Sequence, residues 1–139
     1  MTKDFLIYIG HDEIKPIIPH KPITMNYIKR LLNNDNIDVN VKLFKNKLKH
    51  PVNLFIGLDD TNREQKPVTI QFTDLTYVRG DCILCNWNTT VGEGTWLSGL
   101  SADGAYWATE QVAYYDKNGN YKGRAYICDK IAGQLSLLS

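Results

Sequence analysis

A chain of 139 residues, 43% hydrophobic and 22% charged, is long enough to bury roughly two thirds of its unfolded surface and needs neither disulfide nor metal to hold a core. That composition excludes a disordered or fibrous protein, and a net charge of +1 excludes a global field drawing it to nucleic acid or membrane. Three cysteines, Cys82, Cys85 and Cys128, cannot all pair within the chain, no apolar window approaches ~18 residues, and the first residues lack the pattern of a secretion signal, so the expectation is a soluble cytoplasmic protein.

The first predicted strand, 5–9, is an apolar run that breaks at Gly10 into His11, Asp12 and Glu13. Pro16, Pro19 and Pro22 stiffen a connector, predicting a surface loop over 14–21. Over 22–33, Ile23, Tyr27, Ile28, Leu31 and Leu32 recur at helical spacing with Lys29 and Arg30 opposite, which predicts the principal helix. Strict alternation over 37–44 and the apolar run 52–56 predict two further strands, and the polar residues 59–67 close a β-α-β-β opening.

Beyond Pro67 the chain changes character, holding ten of the fifteen aromatic residues and strands predicted at 68–72, 75–78, 82–87, 95–100, 106–115 and 121–128. Asn118-Gly119 between aromatic runs predicts a hairpin, residues 101–104 predict another turn, and 131–138 closes the core as a short helix or strand. The expected fold is a single α+β domain over 1–139, a mainly antiparallel twisted sheet with one principal helix near the N-terminus. Its parts, 1–67 and the hairpin-rich 68–139, share one core.

Cys82 and Cys85 have the C-x-x-C spacing used for zinc, but residues three apart on a strand point to opposite faces, so they read as buried thiols. His11, Asp12 and Glu13 stand where the first strand ends, the edge at which open sheets bind ligands. Asp59 and Asp60 would join them if the third strand runs parallel to the first, offering a metal-assisted phosphate site. The Ile7-Tyr8-Ile9-Gly10-His11-Asp12 segment with the helix and strand after it, about residues 5–44, is similar to the opening of nucleotide-sugar glycosyltransferases. Their Asp-x-Asp metal motif is missing here, Asp59-Asp60 having no spacer, and the chain is not assigned to that family.

Arg79-Gly80-Asp81 reads as a turn, and 116–120 as a hairpin loop, because the EF-hand positions for glycine and glutamate hold Tyr121 and Ile127. The cluster from Lys42 to His50 could meet phosphates, yet it also suits a lysine-protected strand edge, and the near-neutral total argues against nucleic acid. Trp87, Trp96, Tyr106, Trp107, Tyr114, Tyr115 and Tyr121 form the candidate partner surface, since alternation must send some of them outward. No nucleophile with a neighbouring base can be identified, and nothing calls for a cofactor or a resident metal.

The leading expectation is therefore a small binding or interaction protein, with no catalytic role, of the accessory kind found in bacteria or phages. It would meet a protein partner or small ligand through an aromatic surface of the C-terminal sheet, and a sheet edge offers a route to a homodimer. The alternative is a nucleotide- or nucleotide-sugar-binding, enzyme-like module with its acidic site at the end of the first strand.

Overall fold

The computed structural model describes residues 4–34, 37–44, 52–59, 65–87 and 97–138, with backbone alone for 38–44, 52–59 and residue 87. Its framework is set by two strands whose side chains are buried on both faces. In β1 (Leu6–Ile9), Leu6, Ile7 and Ile9 have no exposed surface, and in β7 (Cys82–Trp87) neither do Cys82, Ile83, Leu84 or Cys85. Near-continuous apolar runs are what such a position requires, because a sheet with one wet face would show alternation.

β1 and β7 lie within a six-stranded antiparallel sheet ordered β2-β1-β7-β4-β3, in which β2 is Ile14–Ile17, β3 Ile37–Phe44 and β4 Val52–Asp59. A short β8 (Leu97–Ser98) pairs with the end of β7. Helix α1 (Met25–Leu32) covers one face, burying Tyr27, Ile28 and Leu32 in a cluster with Leu6, Ile83, Cys85 and Leu97. Thr24 caps its start by accepting from the Tyr27 amide at 3.1 Å, and Asn33 in the left-handed conformation ends it.

The other face carries the larger core. There Ile7, Ile9, Cys82 and Leu84 meet α2 (Ala102–Thr109), α3 (Ala125–Leu138) and the inner side of a second, four-stranded antiparallel sheet. Its order is β10-β9-β5-β6, with β5 Val68–Phe72, β6 Tyr77–Arg79, β9 Val112–Tyr115 and β10 Tyr121–Gly123. Ile70, Phe72, Val78, Val112 and Tyr114 point inward from it.

The fold is α+β with antiparallel sheets, but several expectations are corrected. The strands form two sheets, and the longest helix is the C-terminal α3, with α1 confined to eight residues. The expected strand 106–115 is α2 followed by β9. Ser101 accepts from the Gly104 amide at 3.0 Å as a helix cap, and Ala105 and Ala108 at helical spacing fit under the core where larger residues would not. The residues 101–104 are thus a helix entry and make no hairpin. The expected strand 121–128 stops at Gly123, whose φ of +85° breaks the extended chain, and Ile127, Cys128, Ile131 and Leu135 then form a helical apolar stripe. The expected loop 14–21 contains β2, where Pro16 is tolerated because β2 is the outermost strand of its sheet, so the opening reads β-β-α-β-β. The hairpin at Asn118-Gly119 is present: Gly119 has φ +81°, and Tyr121 pairs with Tyr115. No helix among the described residues is long and apolar enough to cross a membrane.

Candidate functional site

Strand register brings the ends of β1 and β4 to the same edge of the six-stranded sheet. Ile9 and Leu58 both pair with Cys82 on β7, so β1 and β4 run in the same direction on either side of it. One residue further along, Gly10 lies against Asp81, a residue that the sequence presented only as part of a turn. A β-carbon at Gly10 would stand 2.6 Å from Asp81 Oδ1, so a side chain there would have to displace the Asp81 carboxylate. The Tyr8 hydroxyl donates to Asp81 Oδ2 at 2.7 Å. Burial first, and this bond second, hold the Tyr8 phenol well above the ordinary tyrosine range, which keeps it a proton donor.

Tyr114 reaches the same place from the second sheet and donates to the Gly10 carbonyl at 3.1 Å. Burial pushes its phenol up to about 12, with Tyr126, Asp116, Asp12 and Asp81 adding to the effect. Its ring stacks on Tyr126 at 5.0 Å, and Lys130 Nζ stands 5.0 Å from the Tyr126 ring centre. His11 is partly buried against Tyr114, with ring centres 6.2 Å apart. Neither imidazole nitrogen has solvent access or a hydrogen-bond partner among the described residues. Asp12 and Glu13 are exposed, and Glu13 pairs with Lys15 at 2.8 Å. Asp59 ends β4, and Asp60 lies outside the described residues. Among the described residues, no group of three His, Cys, Asp or Glu side chains could hold a metal ion.

The outer face of the four-stranded sheet is the second candidate. Because Val78 and Tyr114 point inward, their neighbours Tyr77 and Tyr115 point outward, joined by Tyr121 on β10. Tyr121 and Tyr115 have ring centres 5.3 Å apart, and Tyr115 and Tyr77 6.3 Å, so three tyrosines form a row across the sheet. Gln71 on β5 completes it. Its Oε1 accepts from the Tyr115 hydroxyl at 3.1 Å, and its Nε2 donates to the Leu75 carbonyl at 3.4 Å. Tyr121 is 60% exposed and Tyr77 50%, and Leu75, at the tip of the β5–β6 turn, is 72% exposed. These values are far above those of the inward-facing residues of the same strands.

The aromatic residues read from the sequence divide accordingly. Tyr115 and Tyr121 belong to the row, Tyr114 is core, Trp107 packs against the core from α2, and Tyr106 is exposed on α2 away from the sheet strands. Trp87 ends β7, and Trp96 lies outside the described residues. Tyr77 was missed, although the Tyr77-Val78-Arg79 alternation carried the signal.

Two clefts lie elsewhere on the described surface. One of about 470 Å³ is lined by Asp4, Lys21, Pro22, Ile23, Leu97, Ser98 and Gly99, and in it Lys21 is bonded to Asp4 at 2.9 Å. The other, about 370 Å³, lies at the C-terminal end of α1 among Asn26, Lys29, Arg30, Asn33 and Asn34. The cluster from Lys42 to His50 has its first residues on β3, and residues 45–50 lie outside those described. No protein-family model matches the chain, and neither a curated protein nor a solved structure matches it significantly.

Proposed function

We propose that this is a binding protein without a catalytic role, and that it engages its partner through the outer face of the four-stranded sheet. The observation that carries this reading is the row Tyr77–Tyr115–Tyr121, held over Gln71 with its two outer rings half or more exposed. Tyrosine supplies a large apolar ring and a polar tip at low conformational cost, and a sheet packed against a core holds such rings in fixed positions. Leu75 extends the apolar part of the face at one corner. Photo-crosslinking tests the reading: a photoreactive residue replaces Tyr77 or Tyr121, with a control at the exposed Leu137 on α3. Adducts formed in cells from the two sheet positions and absent from Leu137 support it. Adducts from all three positions, or from Leu137 alone, oppose it.

A second reading, a metal-assisted nucleotide site of His11, Asp12, Glu13, Asp59 and Asp60, draws on the shared edge of β1 and β4. It ranks lower because Glu13 is engaged by Lys15 and the His11 nitrogens are enclosed. A thermal shift with Mg²⁺ or Mn²⁺ plus nucleotide that disappears in Asp12→Ala would favour it.

A further inference from the structure

We infer that the outer edge of β3 pairs with the same edge of a second copy of this chain, antiparallel about a two-fold axis at Asn40. Among the described residues β3 pairs only with β4, over its full length from Ile37 to Phe44. The amides and carbonyls of alternate residues on its other side have no described strand beside them, and such a row is a template for another strand. The other described edges are shorter or obstructed. β2 has four residues, of which Pro16 offers no amide, and the Ile14 carbonyl accepts from Gln134 Nε2 of α3 at 2.9 Å. β6 and β10 have three residues each, and each meets its neighbour with a register shift.

The residues of β3 match their own copy in one register. Ile37 packs beside the α1 cluster, so positions 39, 41 and 43 share its face of the sheet and positions 38, 40 and 42 take the other. A two-fold axis normal to the sheet keeps like faces together only when it passes through a residue. With the axis at Asn40, Ile37 opposes Leu43, Val39 opposes Val41 and Asp38 opposes Lys42, so apolar positions meet apolar ones and acid meets base, twice by symmetry. An axis at Asp38 or at Lys42 sets that charge against itself, and one at Val39 or Val41 leaves Asp38 opposite Asn40 or Phe44. Lysine on an edge ordinarily obstructs pairing. Here Lys42 obstructs the registers, and the foreign strands, that set no acid opposite it. A peptide of other sequence would meet the same amides without this match, which is why the edge points to a second copy.

Sedimentation velocity on the full chain over a dilution series tests this, and a monomer–dimer equilibrium is expected. Asp38→Lys and Lys42→Asp should each raise the dissociation constant about tenfold or more, because each sets like charges opposite one another at both symmetric positions. The double variant Asp38→Lys with Lys42→Asp should recover the dimer. An equimolar mixture of the two single variants should recover it as well, since unlike charges then face each other between the two chains, and that recovery shows both variants to be folded. A monomer at every concentration up to about 100 µM overturns the inference. So does a dimer whose dissociation constant is unchanged in both single variants, which would place the contact elsewhere on the molecule. Failure of both the double variant and the mixture to recover the dimer overturns the register at Asn40.

Discussion

The Tyr8 hydroxyl donates to Asp81 Oδ2 at 2.7 Å across 73 residues of sequence, joining the first strand to the turn that enters β7. The other carboxylate oxygen, Oδ1, occupies the space a β-carbon at Gly10 would need, so the bond and the missing side chain at Gly10 act on the same carboxylate. Gly10→Ala should cost about 1–3 kcal/mol by overpacking, and Tyr8→Phe about 1 kcal/mol. In an Asp81→Ala background the Gly10→Ala cost should shrink, because the obstructing carboxylate is gone. Urea unfolding of the four variants as a double-mutant cycle measures that coupling, and additive costs would contradict the contact.

Cys82 and Cys85 face opposite cores, and burial pushes both thiols well above their ordinary range. A raised folded-state value means the stability is fully present below the unfolded thiol value of about 8.5 and is lost as pH rises, because the unfolded chain ionises first. Urea midpoints should therefore fall between about pH 8.5 and 10, at up to about 1.4 kcal/mol per pH unit for each thiol. Cys82→Ala and Cys85→Ala should each begin from lower stability but show a shallower alkaline limb. An equally steep limb in both variants would assign it elsewhere.

Leu75 holds φ +72° while 72% exposed, so its side chain gains little burial in return for a left-handed backbone. Leu75→Gly should raise stability by about 0.5–1 kcal/mol. Thermal denaturation checks it, and a loss of stability would mean the leucine packs more than its exposure indicates.

Asp116 accepts backbone bonds from Asn120 and Asn118, with Lys122 nearby at 3.9 Å, and these hold its carboxyl below the ordinary value. A lowered value contributes stability above the ordinary carboxylate pKa of about 3.9 that is lost as pH falls through the folded value. An NMR titration should place its midpoint below that of a free aspartate. Asp116→Ala should be less stable at pH 7 and show a flatter acid limb.

The alternation over 37–44 and the apolar run 82–85 were legible as strands, and both stand as strands in the structure. The opposite facing of Cys82 and Cys85 followed from strand periodicity alone. Within the helices at 102–109 and 125–138, the stretches 106–109 and 125–128 carry the expectation of strands because Tyr106, Trp107 and Tyr126 favour strands on average. Tertiary packing of Ala105, Ala108, Ile127 and Ile131 decided otherwise. Asp81 beside Gly10 was illegible because it depends on the β1–β7 register, which local pattern does not reveal. Of the tyrosine row, the outward turn of one residue in Tyr114-Tyr115 was legible, but Tyr77 crosses to Tyr115 only through the order β9-β5-β6.

The place of β7 between β1 and β4 has a consequence for synthesis. As the chain leaves the ribosome, β1 and β4 emerge with a strand-wide gap between them that stays unfilled until residues 82–87 appear. Through that interval the two strands flanking the gap display unpaired amides and carbonyls, edges that invite pairing with other chains. Nascent chains arrested once residue 67 has cleared the ribosome should bind chaperones, and chains arrested once residue 87 has cleared it should bind them less.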